Sequence, residues 1–210
     1  MNKIGVFGGT FNPVHKGHEI AAAEFYNKFN LDKLLIIPSN IPPHKPGDAN
    51  ISSQSRFEMC EICFGKYKDL YGYNIEVSDI EIKKDGVSYT FETVKTLRGI
   101  YPRDLIYFLV GSDMFLYLEH WHRYEELLGM CVFVVAYRQN NGKDAAEVSE
   151  LRENLLSRGH KVELLENAAF EISSTEIREK IKNGKIDNMR GCLNPGVLDY
   201  IKERRIYVLQ

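Results

Sequence analysis

KIGVFGGTFNPVHKGHEIAAA, residues Lys3 to Ala23, carries in sequence the signals of a strand, a glycine turn and a helix start. Ile4, Val6 and Phe7 make an apolar run that meets Gly8-Gly9 too soon for a helix, so it reads as a buried first strand. Glycines at its end let the backbone turn sharply and let a ligand approach where a Cβ would stand in the way. Pro13 then fixes φ and pre-sets the loop. From Gly17 onward, Ile20, Ala21, Ala22, Ala23, Phe25 and Tyr26 predict a helix with an apolar, small-residue face. Strand, glycine turn and helix start together form an anion site, because unpaired N–H groups and the helix dipole point at the ligand. His15 and His18 stand in that turn, and amides beside two imidazoles suit phosphate. The loop has neither the Gly-Lys-Ser/Thr ending of a P-loop nor a Gly-x-Gly-x-x-Gly string.

Outward from this stretch the pattern alternates. Strand-like segments are Lys3–Gly8, Lys33–Ile37, Asn74–Val77, Leu105–Val110, Val132–Ala136 and Val162–Leu165. Helical patterns cover Gly17–Phe29, Ser53–Tyr67, Phe91–Arg98, Tyr124–Leu128, Val148–Ser157, Thr175–Lys182 and Val197–Glu203. The alternation predicts an α/β fold over 1–210 as one domain: a doubly wound, mostly parallel sheet with helices on both faces. Ligands then sit beyond the carboxyl ends of the strands. SDIEIKK, before the turn signal Asp85-Gly86, alternates like a strand or extended arm. Either Ser88 or Thr90 is expected to cap the helix that follows, and Ser173 with Glu176 fits a capping box. Gly47–Ser53 and Gln139–Asp144 are polar and rich in Gly or Asn, and are expected to be flexible.

Composition narrows the class of function. With 210 residues, 44% hydrophobic and 27% charged, the chain has enough apolar material for a full core. A formal charge of -2 argues against a general nucleic-acid surface. The chain runs straight into its first strand without a basic-then-apolar leader, and apolar runs such as Cys131 to Tyr137 are too short for a bilayer. No membrane partner and a cytoplasmic location are therefore expected. Cys60 and Cys63 fall on a helix with no second pair to complete a zinc site, so all four cysteines read as small buried hydrophobes rather than metal ligands.

His15-Lys16-Gly17-His18 resembles the H-x-G-H nucleotidyltransferase superfamily, and the fuller GGTFNPVHKGH resembles the bacterial nicotinate-mononucleotide adenylyltransferases. Asn12 stands where that family usually has Asp, and both residues turn loops alike. The likeness continues along the chain in order. PSNIPPHKPG carries the family's PPHK, whose basic end the family associates with the mononucleotide's phosphate; this implies Asn40, His44 and Lys45. Ser88-Tyr89-Thr90 matches the family's SYT beside the pyridine ring, implying Tyr89 and Thr90. Gly111-x-Asp113 matches a G-x-D, and Trp121 follows Asp113 at the family's spacing, with His122 next to it. From the residues alone, Asp113 is equally a ribose contact or a helix cap, and Trp121 either a packing residue or a stacking platform. Arg138, at a strand's carboxyl end, is either a surface arginine or a phosphate contact. ISSTEIR matches the family's ISSTxIR, implying ATP contacts from Ser173, Ser174, Thr175 and Arg178, together with Gly8, Gly9, Thr10, Phe11 and His18.

The resemblance implies a Rossmann-like nucleotidyltransferase that joins ATP and nicotinate mononucleotide into nicotinate adenine dinucleotide and pyrophosphate, with His15 and His18 catalytic. Mg²⁺ is expected to arrive with ATP, since such ions bind mainly through phosphates and water. Two rivals stay open: an adenylyltransferase for phosphopantetheine, and a non-catalytic module that senses nucleotide. The sequence leaves room for a homo-oligomer without requiring one.

Overall fold

The computed structural model describes residues 1–43, 51–137, 142–166 and 173–208. Six strands form one sheet: β1 (Lys3–Gly9), β2 (Lys33–Pro38), β3 (Ile75–Val77), β4 (Leu105–Gly111), β5 (Val132–Tyr137) and β6 (Val162–Glu166). Their order is β3-β2-β1-β4-β5-β6, and every neighbouring pair is parallel. After β3 the chain crosses back to add β4 on the far side of β1. The winding therefore reverses between β1 and β4, and a crevice opens beyond their carboxyl ends.

Helices cover both faces. α1 (Lys16–Phe29), α2 (Ser53–Phe64), α8 (Ser174–Lys182) and α9 (Pro195–Glu203) share a core that includes Phe25, Met59, Ile177, Val197 and Leu34. α4 (Thr90–Ile100), α5 (Ser112–Leu116), α6 (Tyr124–Leu128) and α7 (Gly142–Ser157) pack Phe91, Leu97, Phe115, Leu127 and Val148 against Val6 and Ile106 on the other face. The short α3 (Tyr67–Tyr71) completes the set. Gly5 in mid-strand leaves room for Phe25 of α1 and for Leu31 just beyond that helix. A Cβ there would lie 2.4 Å from Leu31 Cδ1 and 3.0 Å from the Phe25 ring.

The doubly wound reading holds, with corrections at the level of elements. The helix expected over Ser53–Tyr67 stops at Phe64, and α3 starts afresh at Tyr67. SDIEIKK is no strand: Lys83 N donates to Asp79 O at 2.9 Å in a run of turns, and Glu81 rather than its isoleucine neighbours Ile80 and Ile82 is the buried residue. Neither Ser88 nor Thr90 caps α4; Tyr89 occupies the cap position without a side-chain bond, and Ser88 Oγ instead accepts Asn40 N at 2.8 Å. α7 begins six residues before the Val148 expected from its pattern. Cys60, Cys63 and Cys131 are buried free thiols, and burial pushes the Cys131 thiol up to about 12.

Candidate active site

The β1 turn is built around the two histidines. His15 is the N-cap of α1, and its Nδ1 accepts Gly17 N at 3.1 Å. His18, in the first turn, returns the favour: its Nδ1 accepts His15 N at 3.2 Å. This is a capping box made of imidazoles instead of the usual hydroxyl and carboxylate. Because each Nδ1 must offer a lone pair, each proton sits on Nε2, and each ring keeps an N–H that the cap does not use. Burial lowers the His15 pKa to about 4 and holds His18 well below 6.5, with His15 adding to the effect. The ring centroids lie 3.8 Å apart, a spacing at which two cations would repel. Both imidazoles are thus neutral donors at pH 7 in the ligand-free protein.

Three segments hold this turn in place. Cys192 O accepts Lys16 N at 2.9 Å. Tyr207 Oη donates to Asn12 Oδ1 at 2.6 Å, so the residue that departs from the family's Asp is engaged by the C-terminal segment. From α8, Ser174 Oγ donates to Pro13 O at 3.0 Å and Arg178 Nη1 to Asn12 O at 2.9 Å. Ser173 and Glu176 form the expected capping box: Glu176 N donates to Ser173 Oγ at 3.2 Å, and Ser173 N to Glu176 Oε2 at 2.8 Å. Through the Ser174 and Arg178 side chains the start of α8 is tied to the same turn from which α1 begins. Phe11, in left-handed backbone with φ 48°, turns its ring into the core, so only its backbone can meet a ligand.

Beside the turn a cavity of about 680 Å³ opens over the carboxyl ends of β1, β2 and β4. Gly8, Gly9, Thr10, Tyr89, Thr90, Asp113, Trp121 and His122 all line it. The structure thus gathers side chains from four separate stretches of sequence into one cleft. Trp121 is held edge-on by Phe108 and Phe133, at centroid distances of 6.1 and 6.4 Å, and its Nε1 is buried without a partner among the described residues. His122 lies 4.6 Å from the Tyr89 ring. Asp113 is not the cap of α5, a position that belongs to Gly111; its Oδ1 folds back so closely that a Cβ on Gly111 would lie 2.8 Å away. The side chain of Asn40 is turned to the fold, donating to Lys84 O at 2.9 Å. His15, His18, Ser173, Ser174, Thr175 and Arg178 do not line this cavity and lie around the adjoining turn. His44, Lys45 and Arg138 lie outside the described residues.

Three features escaped the sequence reading. Glu81 lines the cavity almost buried, accepting Thr93 Oγ1 at 2.6 Å, and burial raises its pKa against the pull of Thr93 and Ser88. Ser39 Oγ, on the same wall, is buried with no hydrogen-bond partner among the described residues. Arg56 is wholly buried under the β1 and β2 loops. One signal was available for Arg56, which shares the helical spacing of the buried Met59, Cys60 and Cys63.

A family model described as Cytidylyltransferase-like matches residues 6–180. The chain is similar to a probable nicotinate-nucleotide adenylyltransferase of Geobacillus kaustophilus (strain HTA426), 33% identical over 207 residues, 99% of this chain and 87% of that protein. A probable nicotinate-nucleotide adenylyltransferase of Fusobacterium nucleatum is 37% identical over 205 residues, 97% of this chain and 99% of that protein. Among solved structures, a Plasmodium falciparum nicotinic acid mononucleotide adenylyltransferase complexed with NaAD superposes with a TM-score of 0.79 at 21% identity, covering 99% of this chain and 98% of that one. At that identity the likeness is one of fold.

Proposed function

The chain belongs to the cytidylyltransferase-like family and, within it, to the nicotinate-nucleotide adenylyltransferases, and from this premise we infer how its cleft transfers an adenylyl group from ATP to nicotinate mononucleotide. The nucleophile is the mononucleotide's own phosphate, whose second pKa near 6 leaves it largely deprotonated at neutral pH. No general base is required. The protein must align two anions and neutralise charge that grows on the α-phosphoryl oxygens and on pyrophosphate.

The observation that carries this reading is the pair of neutral, Nε2-protonated imidazoles at a turn where two helices begin. In it, His15 and His18 donate Nε2–H to the reacting phosphates, alongside the amides of Gly8 to Thr10. As the anions settle, they favour the protonated imidazoles and so strengthen the same bonds. Ser173, Ser174, Thr175 and Arg178 hold the outer phosphates of ATP, with Arg178 exchanging part of its bond to Asn12 O for a phosphate. The cavity takes the mononucleotide, its pyridine ring against Trp121 and its carboxylate at the start of α4 near Tyr89, Thr90 and His122. Asp113 meets ribose hydroxyls, and His44, Lys45 and Arg138 meet the mononucleotide's phosphate.

Among the described residues no group of three His, Cys, Asp or Glu side chains could hold a metal ion. We take Mg²⁺ to arrive on the triphosphate and to keep most of its water, where it would offset phosphate charge. No described helix is long and apolar enough to cross a membrane, and we take the enzyme to work in the cytoplasm. The test is pyrophosphate release from ATP with nicotinate mononucleotide, nicotinamide mononucleotide or phosphopantetheine as acceptor. Turnover with phosphopantetheine but with neither mononucleotide would overturn the assignment.

A further inference from the structure

We propose that Arg56 is a positioning residue whose guanidinium fixes the spacing between the loop that holds ATP and the loop that holds the mononucleotide. Arg56 sits in the first turn of α2 with 0% of its surface exposed. Its Nη1 donates to Thr10 O at 2.8 Å and its Nη2 to Asn40 O at 2.8 Å. Thr10 closes the glycine turn after β1, and Asn40 opens the proline loop after β2. These strands are paired in parallel, Gly8 against Ile37 and Gly9 against Pro38, so the two loops leave the sheet side by side. Arg56 is not among the residues that line the cavity and acts through the two carbonyls it holds.

A core residue of this size does not need to be an arginine. Among the described residues Arg56 forms no ion pair, and its Nε is buried without a partner. A buried guanidinium that places two of its five N–H donors on carbonyls, leaves Nε unmet and feels Glu81 only at longer range is costly where a methionine would bury no charge. What the guanidinium supplies is geometry: a rigid planar fork holds two acceptors at one separation, which a lysine ammonium cannot do. For a reaction that runs by aligning two bound phosphates, displacing one loop by about 1 Å costs on the order of 10²-fold in rate. This proposal rests on the adenylyl-transfer reading above.

The test compares Arg56→Lys, which keeps the charge and loses the fork, with Arg56→Met, which loses both. Each variant is titrated by calorimetry with α,β-methylene-ATP and with nicotinate mononucleotide separately, and its kcat is read from pyrophosphate release. We expect both variants to bind each ligand within about threefold of wild type while kcat falls by about 30- to 100-fold, the mark of lost alignment in the ternary complex. A filler role predicts changed melting with kcat intact. Arg56→Lys with kcat within about threefold of wild type would show that charge, not the fork, matters, and would overturn the proposal. Losses in binding large enough to account for the loss in turnover would overturn it as well, as would unfolding of both variants, which would make Arg56 a core residue only. Wild-type protein assayed alongside tells failure of this inference from failure of the reaction assignment.

Discussion

His18 holds the amide of His15 through Nδ1 and, in the proposed reading, offers its other nitrogen to the ligand. That division of labour makes its two functions separable by mutation. We expect His18→Asn, whose Oδ1 can still accept the His15 amide, to fold normally and to lose kcat by about 10²–10³-fold, the usual cost of one transition-state donor. A variant with near-normal kcat and weakened ATP binding alone would make His18 a ground-state binder. His15 gives a second handle, through pH. Its pKa is about 4 in the folded protein against 6.5 for the free side chain, so between those values the unfolded chain binds the proton and the folded one does not. Stability is therefore full above pH 6.5 and falls as pH drops towards 4, by on the order of 3 kcal/mol at the lower end. Urea unfolding at pH 7 and pH 4.5 should show this loss in wild type and a smaller one in His15→Asn; equal losses would remove His15 as the cause. The two histidines were legible because their spacing after a glycine turn is visible in sequence. Their tautomers were not, since these follow from amides 3.1 and 3.2 Å away. Arg56 and Glu81 were missed for a related reason: residue type argues for exposure, and only packing shows otherwise.

At the scale of elements, α8 carries two kinds of polar bond with different purposes. The Ser173–Glu176 box closes on the helix itself, whereas Ser174 and Arg178 reach across to Pro13 and Asn12. Removing the box with Ser173→Ala should lower stability by about 1 kcal/mol in urea unfolding, on top of any loss of its proposed contact with ATP. Ser174→Ala and Arg178→Ala, by contrast, should chiefly raise the Kd for ATP and leave that for the mononucleotide nearly unchanged. Equal weakening of both ligands by both changes would contradict two separate phosphate regions. This helix could be read from its sequence because cap, box and apolar period all agree. SDIEIKK could not. Its alternation is real, but the residue turned inward is Glu81, held by Thr93, so the pattern that mimics a strand arises from a buried acid in a turn. The α4 start was misassigned by a similar route, since Ser88 was claimed by Asn40 from a loop 48 residues away.

At the scale of the whole molecule, alternating strands and helices announced a doubly wound sheet, but not the side of β1 on which β4 would add. That choice is made by packing between distant segments, and it brings Gly8, Thr90, Asp113 and Trp121 to one cavity. The cavity in turn makes a claim about substrate choice: the acid form, nicotinate mononucleotide, should be preferred over the amide form. A carboxylate accepts from helix-start amides through charge-assisted bonds, and α4 begins at Thr90 on the cavity wall. Burial pushes Glu81, on the same wall, towards its neutral form, which lessens its repulsion of that carboxylate. An amide ligand would set its NH₂ against an N–H donor and leave one buried group unmet, at about 1–3 kcal/mol. The corresponding preference is about ten- to a hundredfold in kcat/KM. Trp121 is fixed edge-on by Phe108 and Phe133, and in the proposed reading its ring would meet either pyridine alike. Trp121→Ala should therefore raise KM for both mononucleotides and leave their ratio almost unchanged. Steady-state kinetics with the two acceptors decide the matter: equal use of both forms by wild type ends the argument from charge, and a ratio that collapses in Trp121→Ala moves the discrimination from the helix start to the indole.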